Sequence, residues 1–409
     1  MGARTSKSRQ PIPESSSASS SSPWMDLQPD LVELILRCLT SHADRVRFAA
    51  VCRHWRFVAR EYSVSRLPPA LPWISFRGGQ METLTLKDGD VGERHFIGFR
   101  EEAVRHGSFG NWQMFQEKAV TGRWRSRHHR HYLRNPLSGA TVLLPGHCKK
   151  PMHLNEDGSH GKPSIWQTSF DFDISKVIVC SDDLIAAIVL YHRHPMATRE
   201  VVVCCRPGMS SWSRGLYNID HYYVDMAFYD GKLYTVTREG RLFVHELAWS
   251  GRSTKAKPRV NQILEVSLAA PASLGGFFTS PFSNMSCYLV ISNTGKLLMV
   301  RWVLPYGNSS VAVKVFQADF ETSQWLELKR LDGQVLFISP NCSKAISTSG
   351  HGGYPKGNRI YFLDYSLTRS CFPNTYYYTC LYYMRSKKFD PISVGQDISY
   401  AWDAAWFFP

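Results

Sequence analysis

Residues 226–247 read MAFYDGKLYTVTREGRLFVHEL, and this stretch decides the fold. Two runs rich in aromatic and β-branched residues flank Asp230-Gly231, a pair that adopts the positive φ angles of a tight hairpin turn. A further turn at Arg238-Glu239-Gly240 leads into a third run ending at Leu247. The pattern recurs where Tyr288 to Ser292 is followed by Asn293-Thr294-Gly295 and then Lys296 to Trp302. It recurs again where Trp325 to Leu331 precedes Asp332-Gly333 and Gln334 to Ile338, which reads as a third hairpin. Weaker relatives stand before Asp88-Gly89 and around Ser138-Gly139. Repeated short hairpins without helical periodicity between them point to radial repetition, which leaves few open strand edges. The ~340 residues beyond position 70, at ~45–50 per blade, make six or seven blades of a β-propeller.

Ahead of residue 70 the period is helical. Pro29 suits a first helical turn, where its missing N–H leaves nothing unpaired. Leu31, Leu34, Ile35, Cys38 and Leu39 then follow helical spacing and read as one apolar face. Ser41 and Asp44 offer a second helix start, and Phe48, Val51, Cys52, Trp55, Val58, Ala59 and Tyr62 continue the periodicity. Leu67-Pro68-Pro69 ends it. The chain therefore divides into a disordered Ser-rich tail over 1–23, a helical module over 24–64, a linker over 65–70 and a propeller over 71–409. The fold class is α+β and multidomain.

Composition narrows the function. The ten cysteines include no C-x-x-C pair, so neither a zinc knuckle nor a redox motif is expected, and reduced, mostly buried thiols are. No apolar run approaches the ~18 residues of a membrane span. No apolar stretch follows the first basic residues, and secretion is not expected. Met1-Gly2-Ala3-Arg4-Thr5-Ser6 matches the N-myristoylation pattern, so membrane attachment is expected only if Gly2 is acylated. The hydrolase elbow, the zincin motif and the Walker loop are absent; the glycine-rich stretch from Ser349 lacks the Gly-Lys-Ser/Thr that cradles phosphate. His128, His129 and His131 have no third metal ligand on one strand face and are expected at the surface. No cofactor and no enzymatic chemistry are expected.

Much of the excess behind the formal net charge of +14 lies in one short segment. Arg123 to Arg134 holds five arginines, three histidines and no acid. A patch of this kind attracts an acidic protein or phosphate, and Trp124 and Tyr132 add the aromatics that base stacking would use. Arg123, Arg125, Arg127 and Arg130 are the candidate target-binding residues. A propeller that binds nucleic acid or another anionic partner through 123–134 is the alternative function, although no nucleic-acid module is present.

Leu27-Gln28-Pro29-Asp30-Leu31, then Ile35 and Leu39, then Arg45 to Trp55, resemble the F-box. Gln28 stands where that family has the first proline of its Leu-Pro pair. The remainder resembles the plant F-box-associated β-propeller domain of the KIB type, through Asn135 to Gly139, Arg206-Pro207-Gly208 with Trp212, Met226 to Leu247, Trp325 to Ser339, Gly357 to Phe362 and Trp406 to Pro409. The resemblance implies a non-catalytic substrate receptor of a Skp–cullin–F-box ubiquitin ligase in the cytoplasm or nucleus. Its F-box would bind a Skp-family adaptor, joined to a cullin and a RING protein, and its propeller an unidentified target protein. Leu27, Pro29, Leu31, Ile35, Leu39, Val51, Cys52 and Trp55 are the expected carriers of adaptor binding or of the local fold beneath it. A module of ~40 residues is at the size where a self-contained core usually fails, which independently calls for a partner surface.

Overall fold

The computed structural model describes residues 24, 26–63, 67–76, 80–83, 94–96, 103–118, 129–148, 152–153, 172–194, 197–213, 215–217, 222–250, 257–268, 284–305, 310–348, 355–373, 379–392 and 404–409. The chain forms two compact units, one built around the N-terminal helices and one from Pro68 onward.

Three helices make the first unit: α1 (Pro29–Cys38), α2 (His42–Ala50) and α3 (Arg53–Ser63). Gln28 caps α1 with its backbone alone, its carbonyl accepting the N–H groups of Leu31 (3.0 Å) and Val32 (3.1 Å). The apolar spacing from Phe48 to Tyr62 runs through without a gap, yet the chain breaks between Ala50 and Arg53. Cys52 causes part of this, since its Sγ accepts the Trp55 N–H (3.4 Å) in the role of an N-cap. The break folds Trp55 onto Phe48, with ring centroids 4.5 Å apart.

Among the described residues the second unit contains six sheets of four or five strands. Blade 1 combines Ala405–Phe407 with Trp73–Ser75, Gln80–Thr83 and Arg94–Phe96. Blade 2 runs from Ala103 to Leu143, blade 3 from Met152 to Tyr217, blade 4 from Tyr223 to Val266, blade 5 from Asn284 to Leu328 and blade 6 from Gln334 to Ile392. Apolar clusters join blade 2 to 3, 3 to 4, 4 to 5, 5 to 6 and 6 back to 1. Between blades 1 and 2, Gln113 donates to Ser75 (2.5 Å) and Phe408 N–H donates to the Gly110 carbonyl (3.0 Å). The ring is thereby closed. Because each sheet is covered on both faces, its inner strands are mostly apolar, as in Leu297–Leu304, where seven of eight residues are buried and Arg301 is the one charged residue.

Closure couples the two ends of the propeller. Trp73 registers opposite Phe407, Ile74 opposite Trp406 and Ser75 opposite Ala405, so the C-terminal segment completes the first blade, as expected for a closed ring. Trp406 is fully buried, and its indole N–H donates to the Ile338 carbonyl of blade 6 (3.0 Å).

The hairpin readings divide. Asp230 (φ 47°) and Gly231 (φ 70°) form the two-residue turn, with Tyr229 opposite Lys232. Gly240 and Gly295 also take positive φ between paired strands. Asp332-Gly333 has the same conformation but is not a hairpin: Gln324–Leu328 pairs inside blade 5 and Gln334–Ile338 belongs to blade 6. The turn joins neighbouring blades, because a tight reversal bends the chain whether or not its flanks pair. Blade 6 holds two further departures. Gln334–Ile338 and Arg359–Leu363 run parallel, and a short helix, α4 (Tyr365–Cys371), follows where no helical pattern was read. Asp364 caps it, accepting from Ser366 N (2.8 Å) and Leu367 N (3.3 Å).

Candidate functional site

The three-helix unit has a small core and a large apolar exterior. Val32, Leu36, Phe48, Trp55 and Val58 are buried together, with Leu27, Ile35, Leu39 and Cys52 packed at their edge. Outside lie Trp24, Leu31, Leu34, Val46, Val51 and Phe57, between 46% and 63% exposed. Of the eight residues expected to serve the adaptor, Pro29, Leu31 and Val51 are exposed, Leu27, Ile35, Leu39 and Cys52 are half-buried, and Trp55 is core. The single face read for α1 is corrected: Val32 and Leu36 point inward, while Leu31, Leu34 and Cys38 point outward. The run Leu31-Val32-Glu33-Leu34-Ile35-Leu36 is apolar almost all round, so spacing alone cannot say which side packs. Leu34, Val46 and Phe57 were not among the expected site residues; Phe57 is a large apolar residue out of step with the Trp55, Val58, Ala59, Tyr62 spacing of α3, and that is the signal that would have found it.

Polar contacts hold this unit in shape. Trp55 Nε1 donates to the Trp24 carbonyl (3.1 Å) and His54 Nε2 lies 3.0 Å from the Leu27 carbonyl, which fixes the segment before α1 against α3. Arg45 Nε donates to the Leu39 carbonyl at the end of α1 (2.9 Å). The exposed side chains are thus mounted on a fixed frame.

The basic segment is only partly in view. Arg123, Arg125, Arg127 and His128 lie outside the described residues. Arg130 is exposed on the strand His129–Arg134, opposite Glu117. His131, expected at the surface, is buried at 2% exposure with its ring 6.1 Å from Phe172. The correction follows from strand alternation, which sends 131 and 133 inward and 130 outward.

At the propeller axis the turn after Ile338 crosses between blades. Lys176 of blade 3 is ion-paired with Asp225 of blade 4, and its Nζ also donates to the Pro340 carbonyl of blade 6 (3.3 Å). Asp225 accepts the N–H groups of Met226 (2.6 Å) and of Leu289 in blade 5 (2.7 Å). Burial pushes the Asp225 carboxyl up, against the pull of Lys176. Gly110 N–H of blade 2 donates to Cys342 Sγ (3.3 Å). One polar knot therefore ties five blades together. A cavity of about 750 Å³ is lined by residues of blades 4, 5 and 6 and includes Pro340; another of about 400 Å³ is lined by Asn341 to Ala345 and residues of blades 3 to 5. The ten cysteines are unbridged, and burial holds thiols such as Cys287 up at about 12, so these stay protonated near neutrality.

Among the described residues the chain thus combines a helical unit that carries exposed large apolar side chains with a closed ring of six sheets. Residues 84–383 match the model of the KIB1-4 beta-propeller family, and the chain belongs to that family. The matched stretch stops short of both strands, Trp73–Ser75 and Ala405–Phe407, that close the ring. The chain is also similar to an Arabidopsis thaliana protein named "putative F-box protein", with 23% identity over 356 residues that cover 84% of this chain and 86% of the relative.

Proposed function

We propose that this chain is the substrate receptor of a Skp–cullin–F-box ubiquitin ligase, acting in the cytoplasm or nucleus. The observation that carries the reading is the helical unit, where Leu31, Leu34, Val46, Val51 and Phe57 stand exposed over a core of five buried side chains. Large apolar side chains exposed together in this way mark an interaction surface. The F-box resemblance and the name of the Arabidopsis relative support a Skp-family adaptor as that partner. The propeller supplies a second, separate surface for the target. The receptor makes and breaks no covalent bond: holding the target on one module and the ligase on the other raises their effective concentration.

The test is co-purification of a Skp-family adaptor with the full chain, wild type against Leu34→Asp/Phe57→Asp. The double variant loses the adaptor while its propeller melts as in wild type. Equal recovery of adaptor with both proteins overturns the assignment.

A further inference from the structure

The cavity of about 750 Å³ over blades 4 to 6 falls in the ~300–1,000 Å³ range of sites that enclose a ligand. Its floor is polar but already satisfied. Asp364, the only carboxylate among the described lining residues, is buried, with one oxygen accepting from the start of α4 and the other from the Tyr288 hydroxyl. The Tyr288 oxygen in turn accepts Trp302 Nε1 (3.2 Å). These bonds tie the Asp364 carboxylate and the Tyr288 hydroxyl into the fold.

The charge that remains is positive. Arg238 of blade 4 and Arg369 of α4 both line the cavity and are exposed. Among the described residues neither has an ion-pair partner. Arg369 is held ready instead, donating to the Tyr365 hydroxyl (2.9 Å) with its guanidinium 6.0 Å over the ring. Two exposed guanidiniums against one buried carboxylate leave the described lining with an excess of positive charge, which favours an anionic ligand. Because blade 5 lies between blade 4 and blade 6, the two cations bracket the cavity and do not converge on one point. That arrangement suits several carboxylates spread along a chain better than one compact dianion.

We propose that this cavity is where the propeller takes its target, and that it binds an acidic peptide segment whose Asp or Glu side chains pair with Arg238 and Arg369. The proposal rests on the receptor reading above. Its probe is a fluorescein-labelled eight-residue peptide alternating glutamate and glycine, titrated into the full chain and read by anisotropy. Arg238→Glu/Arg369→Glu weakens binding by about tenfold or more, whereas Lys387→Glu/Lys388→Glu, an equal charge change on an exposed turn elsewhere in blade 6, changes it less than about twofold. A glutamine version of the peptide does not bind. Arg238→Gln/Arg369→Gln, which keeps the polar surface, gives an intermediate loss and guards against misfolding of the first variant. Equal losses in the cavity and control variants, or binding of the glutamine peptide, overturn the site. So does tighter, arginine-dependent binding of a peptide with a single phosphoserine. Adaptor capture on the same samples separates the two readings: peptide binding without adaptor sinks the receptor and leaves the site, and the reverse sinks the site alone.

Discussion

The helices and the propeller solve the same problem in opposite ways. Blade 5 buries Leu297–Leu304 almost completely because a neighbouring sheet covers each of its faces. The helical unit has only three short elements and five buried side chains, and leaves six large apolar residues outside. In the ring every sheet supplies cover for the next; the helices leave large apolar side chains exposed, and the proposed adaptor is what would cover them. Stability thus lies in the propeller and unmet demand for a partner in the helices.

The largest effect should come from opening the ring. Removing residues 404–409 takes away the strand Ala405–Phe407 and with it the partner of Trp73–Ser75, so the propeller loses its cooperative thermal transition rather than fraying at one end. Trp406→Ala alone should cost about 3–5 kcal/mol in denaturant unfolding. A truncated chain that melts as wild type would show that the comparison overstates how far the blades depend on one another.

Next comes the axial knot. Lys176→Met leaves Asp225 charged and buried without its partner, a loss of about 3–5 kcal/mol at neutral pH. Burial already raises the Asp225 carboxyl in the folded state, so its contribution is present below the ordinary value of ~3.9 and lost as pH rises through the raised folded value. Without Lys176 that value rises further, and acidification should recover stability in the variant more than in wild type. Urea melts of both proteins across the acid range measure this, and parallel pH profiles would contradict it.

On the helices, effects divide by direction rather than by size of residue. Leu34→Asp should weaken adaptor binding by about 2 kcal/mol, roughly thirtyfold, and change folding by less than about 0.5 kcal/mol. Phe48→Ala should do the reverse in order, losing helical circular dichroism of the unit first and adaptor binding as a result. The smallest effect belongs to Arg130→Gln, whose exposed side chain should shift unfolding by less than about 0.5 kcal/mol in a denaturant titration.

Much of the propeller was legible because a hairpin is a local object. Asp230-Gly231 carries its own conformation, and the flanking runs carry the strand period. A closed ring must join its ends, and the structure does so by pairing Trp73 with Phe407. What could not be read is what depends on distance without periodicity. Lys176, Asp225 and Pro340 are far apart in sequence, and nothing local announces that they meet. Asp332-Gly333 misled because its turn chemistry is identical in a hairpin and between blades. On α1, Leu31 and Val32 differ in burial but hardly in chemistry, so the identity of the outward face waited for the structure.

Hydrogen–deuterium exchange of the full chain, alone and with a purified Skp-family adaptor, tests the contrast between the two regions most directly. Alone, residues 29–63, with the smaller core, should exchange faster than Leu297–Leu304. Adaptor should protect α1 and α3 strongly and leave the blade 5 strand unchanged. Helices as well protected as blade 5 in the free chain, with no further protection on adding adaptor, would contradict the account.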